Sequence, residues 1–153
     1  MRNSKNVKGF TLIELIVVIA IIGVLAAILV PALLGYIDEA RQKQMVLHGK
    51  SVHTAAQSVA SQYYAQSKPP KDNKTDFAAK VSEIADLDEF GVDGVKAEIN
   101  FTATGSHSGY VIDTIAYSET NGSETKWIKL VNGSWESVSG TPTAGDVTVE
   151  WTK

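Results

Sequence analysis

The feature that most constrains this chain is an apolar run near its N-terminus. No charged residue occurs between Leu15 and Ile37. As a helix that rises 1.5 Å per residue, the run is about 34 Å long, enough to cross a hydrocarbon core of about 30 Å. The alternative is a helix buried in a soluble core, but a chain of 153 residues is too small to surround so long an all-apolar helix. The run therefore predicts a membrane-spanning helix.

The residues that flank the run predict its orientation. Arg2, Lys5 and Lys8 precede it, and no acidic residue occurs before Glu14. Short flanks rich in lysine and arginine stay in the cytoplasm. The N-terminus is therefore predicted to be cytoplasmic and the chain from Asp38 onward extracytoplasmic. The run is too long for the core of an ordinary signal peptide, and no small-residue cleavage site follows it.

Four residues distinguish this segment from a simple anchor. Glu14 lies near its start, where a carboxylate is costly in lipid unless it is paired. Pro31 removes one backbone hydrogen bond, and Gly23 and Gly35 lower the helical propensity around it. Glu14 has two interpretations: an interfacial charge that faces lipid headgroups, or a paired carboxylate with a function.

The sequence KGFTLIE at residues 8–14, followed by the apolar run, resembles the class III signal of type IV prepilins. The resemblance covers roughly residues 1–45. It implies that a prepilin peptidase cuts between Gly9 and Phe10 at the cytoplasmic face and then N-methylates the new Phe10 amine. It also implies that the helix serves first as a membrane anchor and then as the core of a filament.

The resemblance also implies a homo-oligomeric helical filament, assembled by a platform and a cytoplasmic ATPase. In such a filament the Phe10 amine is a cation on an apolar segment, where an unpaired charge is costly. Glu14 of a neighbouring subunit neutralises it, and that pair sets the axial register between subunits. The stretch from Gly23 to Pro31 is predicted to lose helix locally in the filament, because proline removes a bond and the pilin family shows such melting.

Three segments are predicted along the chain: a cleaved leader at residues 1–9, the transmembrane and filament-core half of the helix at residues 10–37, and an extracytoplasmic head domain at residues 38–153. The helix is expected to continue into the head, because residues 38–66 contain no proline and their apolar positions recur with helical spacing. This stripe is expected to pack on a sheet and comprises Ile37, Ala40, Leu47, Val52, Ala55, Ala56, Val59, Ala60 and Tyr63.

The remainder of the head is predicted to contain a short helix and several strands. Thr75 or Asp76 is expected to cap the helix. Its apolar face comprises Phe77, Val81, Ile84 and Leu87. From Val95 to Ala103 apolar and polar residues alternate, which is typical of a strand. Further strands are predicted at Tyr110–Ser118, Thr125–Val131 and Ser134–Val138, with a short one around Val147, Val149 and Trp151.

The Asn-Gly dipeptide at residues 132–133 predicts a two-residue type I′ hairpin. That register places Leu130 opposite Trp135 and Lys129 opposite Glu136, a favourable pair on each face. The predicted fold class is α+β, with a long N-terminal helix packed on a small antiparallel sheet. The pilin resemblance implies the same fold.

Little in the composition points to catalysis or to a metal. The chain has no cysteine, so the disulfide that closes a C-terminal loop in many pilins cannot form. Its net charge of -3 argues against nucleic acid as the main partner. His48 and His53 share no helical face and are interpreted as solvated or interface residues, and His107 as exposed. An acidic cluster is interpreted as a solvated turn and not as a calcium loop: Asp86, Asp88, Glu89 and Asp93. We predict no catalytic residue, metal or cofactor, and no enzyme activity.

The leading functional hypothesis is a structural subunit of a type IV pilus, used for adhesion, twitching motility or DNA uptake. One alternative is a pseudopilin of a type II secretion or competence system, which shares every N-terminal feature. A remote alternative is an enzyme or receptor tethered by a single helix. That reading explains the anchor but leaves Gly9, Phe10 and Glu14 without a role.

Overall fold

The computed structural model describes residues 9–152. Helix α1 spans Leu12–Ala65, close to the predicted end at residue 66. Two 3-10 turns (Pro70–Asp72 and Leu87–Phe90) flank helix α2 (Lys74–Ala85). The strands of the described chain are β1 (Gly94–Phe101), β2 (Ile112–Asn121), β3 (Glu124–Val131), β4 (Ser134–Val138) and β5 (Val147–Thr152). The chain divides into two compact units, the first ending at Gln42 and the second beginning at Lys43.

In the first unit, helix α1 exposes every residue. Its large apolar side chains are all solvent-exposed within this single chain, and Ile28 for example is 70% exposed. The helix runs through Gly23 and Pro31 without interruption. Among the described residues, α1 is the one helix long and apolar enough to cross a membrane.

The second unit contains an antiparallel sheet with the strand order β4-β3-β2-β1-β5. The predicted hairpin between β3 and β4 is confirmed, with Leu130 opposite Trp135 and Lys129 opposite Glu136. Residues 132 and 133 both have positive φ, at 49° and 82°, as a type I′ turn requires. The α+β class and the antiparallel sheet are as predicted.

The core of the second unit joins the last turns of α1 and helix α2 to one face of the sheet. The residues that α1 buries there are Met45, Gly49, Val52, Ala55, Ala56, Val59, Ala60 and Tyr63. A Cβ added to Gly49 would lie 3.2 Å from ring atoms of Trp135 and 3.2 Å from the Ile128 Cδ1. The absence of a side chain at Gly49 therefore lets these large side chains lie directly against the helix.

Four apolar positions of the predicted stripes are exposed. Ile37 and Ala40 lie in the first unit, in which α1 buries no residue, and Ile37 is 39% exposed. Leu47 is 63% exposed, because it lies two residues from both Met45 and Gly49 and therefore on the opposite side of a helix that turns 100° per residue. Ile84 is 50% exposed, because Ala85 takes the inward position four residues after Val81.

The start of α2 also differs from the prediction. The helix begins at Lys74, so Asn73 and not Thr75 or Asp76 occupies the capping position. The Asn73 side chain donates to the Pro69 carbonyl oxygen at 3.0 Å and makes no side-chain capping bond to α2. The preceding 3-10 turn therefore positions the helix start.

Strand β1 ends earlier and strand β2 begins later than predicted, because hydrogen bonds within the loop between them hold that loop together. In residues 102–111, the Thr102 amide donates to the Val111 carbonyl at 2.8 Å and the Gly109 amide donates to the Thr102 carbonyl at 2.7 Å. These bonds end β1 at Phe101 instead of Ala103, and β2 begins at Ile112 instead of Tyr110.

Candidate functional site

The predicted processing site lies just before helix α1. Gly9 and Phe10 are outside the helix and exposed, and the Phe10 side chain is 87% exposed. A Cβ added to Gly9 would meet no atom within 4 Å. The Gly9–Phe10 peptide therefore lies outside regular secondary structure, and both of its residues are exposed.

Glu14 and Thr11 form a capping box at the start of α1. The Glu14 Oε2 accepts the Thr11 amide at 2.9 Å and the Thr11 hydroxyl at 2.7 Å. In return the Thr11 Oγ1 accepts the Glu14 amide at 3.3 Å. This reciprocal pairing satisfies backbone donors that a helix N-terminus leaves unpaired. Sequence reasoning missed it, although a threonine followed three residues later by glutamate before an apolar run is its signature.

The capping box leaves part of the Glu14 carboxylate available. Both bonds from Thr11 end on Oε2, and within residues 9–152 no hydrogen bond to Oε1 is present. A carboxylate in the first turn also interacts favourably with the partial positive charge of the helix N-terminus. The geometry thus fixes where the helix starts and presents one carboxylate oxygen to the surroundings.

Gly23 and Pro31 lie far from this end of the helix. Pro31 follows Glu14 by 17 residues, which corresponds to about 26 Å along the axis. Added Cβ atoms at Gly23 and Gly35 would meet nothing within 4 Å, so neither glycine is required by packing in the described chain. Gly9 and Phe10 therefore lie just before the helix start that Glu14 and Thr11 cap, and Gly23 and Pro31 form a separate feature.

His48, which was interpreted as a solvated or interface residue, lies between α1 and strand β2 of the head. Its Nδ1 lies 2.6 Å from the Glu119 Oε1, which also accepts the Tyr117 hydroxyl at 2.8 Å. The imidazole stacks on Phe90 with ring centroids 4.1 Å apart. Glu119 is only 8% exposed, so this cluster links α1 to β2 inside the head.

The other two histidines are ordinary side chains of the head. His53 is half-buried, and this burial lowers its pKa because the charged form loses hydration. His107 is exposed, as predicted, and its ring lies 5.1 Å from that of Tyr64.

The acidic turn residues have local structural partners. Asp86 takes a left-handed conformation, with φ of 58°, and ends α2. The Asp93 Oδ2 accepts the Gly122 amide at 2.7 Å and so ties the end of this turn to the β2–β3 hairpin. In the described part of the chain, no group of three or more histidine, aspartate or glutamate side chains is placed to hold a metal ion.

Comparisons with known proteins find relatives for both the N-terminal segment and the head. The family model described as the prokaryotic N-terminal methylation motif matches residues 4–30. A fimbrial protein of Pseudomonas aeruginosa is 32% identical over 148 residues, which are 92% of this chain and 91% of the relative. The type IV major pilin protein PilE1 of Neisseria gonorrhoeae is 34% identical over 137 residues, which are 88% of this chain and 70% of the relative. No solved structure matches the chain significantly.

The methylation motif, the exposed apolar helix and the α+β head together define a class: fimbrial subunits with one N-terminal helix. The similarity to the pseudomonad fimbrial protein extends over nearly the whole chain, head included. The chain belongs to the type IV pilin family, as its N-terminal resemblance indicated.

Proposed function

We propose that this chain is the structural subunit of a type IV pilus, made as a membrane-inserted prepilin and then polymerised into a surface filament. The observation that carries the proposal is the first half of α1, which exposes all of its apolar side chains. Such a surface needs lipid or other apolar helices around it. Lipid is as apolar as a helix bundle, so van der Waals packing and polar pairs must decide the transfer into a filament.

The three predicted segments carry this function. Residues 1–9 are the leader, residues 10–37 the membrane and filament-core segment, and residues 38–153 the extracytoplasmic head. The cationic leader keeps the N-terminus in the cytoplasm, since lysine and arginine flanks resist translocation. The head then lies outside the membrane, and polymerisation carries it onto the cell surface.

Processing occurs after Gly9, by a prepilin peptidase that also methylates Phe10. The exposure of both residues and their position before the helix support this step. Gly9→Val is expected to leave an unprocessed precursor in the membrane, because a β-branched side chain blocks close approach of the backbone to the protease. Gly35→Val is the matched control and should be cut normally. Mass spectrometry of the purified chain measures both the cleavage and the single methyl group, and normal processing of Gly9→Val would contradict the assignment.

The exposed oxygen of Glu14 supports a second role for this residue. The Oε2 keeps the Thr11 capping box within one subunit, while the Oε1 receives the Phe10 amine of a neighbouring subunit. One carboxylate then fixes both the helix start and the axial register of the filament.

The stretch from Gly23 to Pro31 provides flexibility during assembly. The helix is continuous here in the single chain, and in lipid unpaired backbone groups would be costly. In the filament, neighbouring subunits change that environment, and this stretch is expected to lose regular helix. A filament map with an unbroken α-helix from Phe10 to Tyr63 would refute this.

The assembly partners are a pilus assembly platform and a cytoplasmic ATPase, and the chain performs no catalytic step itself. The names of the relatives, fimbrial protein and type IV major pilin, favour a pilus over the pseudopilus of a secretion system. The deciding experiment is electron microscopy of cells with and without the gene, at native expression. A pilin gives surface filaments that disappear on deletion and return on complementation. A pseudopilin gives no surface filaments in either strain.

A further inference from the structure

The connection from β4 to β5 crosses the whole sheet. These strands lie at opposite edges, four strand spacings or about 19 Å apart. Val138, at the end of β4, pairs with Trp127 of β3. Val147, at the start of β5, pairs with Ile99 of β1. Residues 139–146, which we call the strap, must therefore pass over one face of the sheet.

The strap passes over the face that points away from the helices. Glu98 and Asn100, which bond to the strap, alternate along β1 with the core residues Ala97 and Ile99 and so point outward. Trp127 is absent from the core that contains the helices, yet it is only 8% exposed. This outer face is therefore covered.

Glu98 holds the end of the strap through a nearly buried carboxylate. Its Oε2 accepts the Gly145 amide and the Thr148 hydroxyl, each at 2.8 Å. Its Oε1 lies 3.2 Å from the Lys96 ammonium. Glu98 is only 3% exposed, so these bonds offset the loss of hydration of a charge that would otherwise be costly to bury.

Asp146 forms a second anchor beside the first. Its Oδ2 accepts the Phe101 amide at 2.8 Å, and its own amide donates to the Asn100 Oδ1 at 3.2 Å. The Lys71 ammonium lies 3.1 Å from the Oδ1. The strap end is thus bonded to β1 on both sides of Ile99 and also to the 3-10 turn before α2.

Gly145 shows how closely the strap lies on β1. An added Cβ would come within 2.6 Å of the Ile99 nitrogen and 2.7 Å of the Ile99 oxygen. These are backbone atoms of a central strand and cannot move aside. The contact depends on glycine at this position.

We infer that Glu98, Asn100 and Asp146 form a lock that keeps the strap and strand β5 on the sheet, so that the strap and β5 open together when the lock is broken. In the sheet, β5 is an edge strand whose ladder bonds go to β1 alone. Its opening would uncover the edge of β1 and expose Val147 and Val149. A free edge of this kind pairs readily with other chains, so the lock protects heads that are crowded together.

Amide hydrogen exchange of the full-length chain in detergent tests the lock. Glu98→Gln removes the charge but preserves the shape, and is expected to speed exchange in the strap and β5 by roughly ten- to a hundredfold. Exchange in β2 and β3 should stay unchanged. Gly145→Ala leaves Glu98 intact and should open the same segment. Glu136→Gln on β4 is the matched control, because it changes a carboxylate on the opposite edge strand. It should change amide exchange in neither the strap nor β5.

Two outcomes would overturn the inference. Equal acceleration in all five strands would mean that Glu98 supports the whole head and not a local unit. No acceleration in β5 with either variant would mean that the lock does not hold the strand. If Glu98→Gln does not fold, Thr148→Val removes only one of the three partners of Glu98 and should give the same local pattern, with a smaller increase.

Discussion

The two halves of helix α1 differ in burial in the direction opposite to their hydrophobicity. The first half contains the long isoleucine, leucine and valine run and buries none of it. Half of the residues that the second half buries are glycine or alanine, namely Gly49, Ala55, Ala56 and Ala60. Burial in this chain therefore depends on whether a complementary surface is present. The sheet supplies one for the second half, and lipid or neighbouring subunits must supply one for the first.

The same substitution, made once in each half of α1, should show the largest difference between the two halves. Ala56 is fully buried, so Ala56→Asp places an unpaired carboxylate in the core at a cost of several kcal/mol, comparable to the total stability of a domain. The head is expected to unfold. Ala27 is exposed, so Ala27→Asp should leave the head folded and instead weaken membrane insertion by about 2.5–3.5 kcal/mol.

Circular dichroism melts of the full-length chain in detergent measure the first effect, and fractionation of cells into membrane and soluble material measures the second. Ala56→Ser and Ala27→Ser serve as size-matched controls without a charge. The comparison fails if Ala27→Asp lowers the melting temperature of the head as much as Ala56→Asp does.

Glu14 tests what the exposed half needs beyond apolar surface. Glu14→Ala should insert and be processed, yet give few or no filaments, because an uncompensated buried amine at Phe10 costs about 3–5 kcal/mol per subunit. Glu14→Asp should be intermediate. The measurement is the ratio of sheared surface pilin to membrane pilin when the variant is the only subunit.

The capping box provides the matched control for Glu14. Glu14→Gln retains a side chain that can close the box but carries no charge, and Thr11→Ala loses the two hydroxyl bonds of the box but keeps the charge. Loss of filaments in Glu14→Gln, with substantial assembly in Thr11→Ala, is the expected pattern. Wild-type filament yield from Glu14→Gln would make Glu14 a capping residue only.

The buried half relies on a polar contact as well as on apolar packing. His48→Ala should lower the free energy of unfolding of the head by about 1.5–3 kcal/mol, since it removes one of the two side-chain partners of the nearly buried Glu119 carboxylate, at 2.6 Å. Denaturant unfolding of His48→Ala, Glu119→Gln and the double variant gives the coupling energy. His53→Ala, on the same helix, is expected to cost less. Additive single effects would show that the 2.6 Å contact contributes nothing.

The sequence was most informative where one local pattern decides the structure. The apolar run, the alternation in β1 and the Asn-Gly hairpin each specify their element within a few residues, and all were predicted. The capping box was equally local and was overlooked. Glu98 and Glu119 were beyond prediction, because their partners Gly145 and His48 lie far away in sequence and only the tertiary fold of the head brings them together.

A hydrogen bond from the Tyr63 hydroxyl to the Asp76 Oδ2, at 2.6 Å, joins the end of α1 to α2. Among these substitutions, its removal should change the stability of the head least near neutral pH. The bond from Tyr63, followed by that from Lys68, lowers the pKa of Asp76 to about 2. Burial, assisted by Asp76, raises the pKa of Tyr63 to about 12.

These two shifts act in separate pH windows. A depressed carboxyl pKa stabilises the head above the unfolded value of 3.8, and that stabilisation disappears as the pH falls towards 2. A raised tyrosine pKa stabilises it below the unfolded value of 10.0, and this contribution disappears as the pH rises towards 12.

Tyr63→Phe should therefore flatten the stability profile in both windows and change it little near neutral pH. Tyr110→Phe is the control, and denaturant midpoints across the pH range are the measurement. The first half of α1 contains neither group, so its helix content in detergent should not follow this profile. Identical pH profiles for Tyr63→Phe and the unsubstituted chain would show that this bond does not hold α1 to α2.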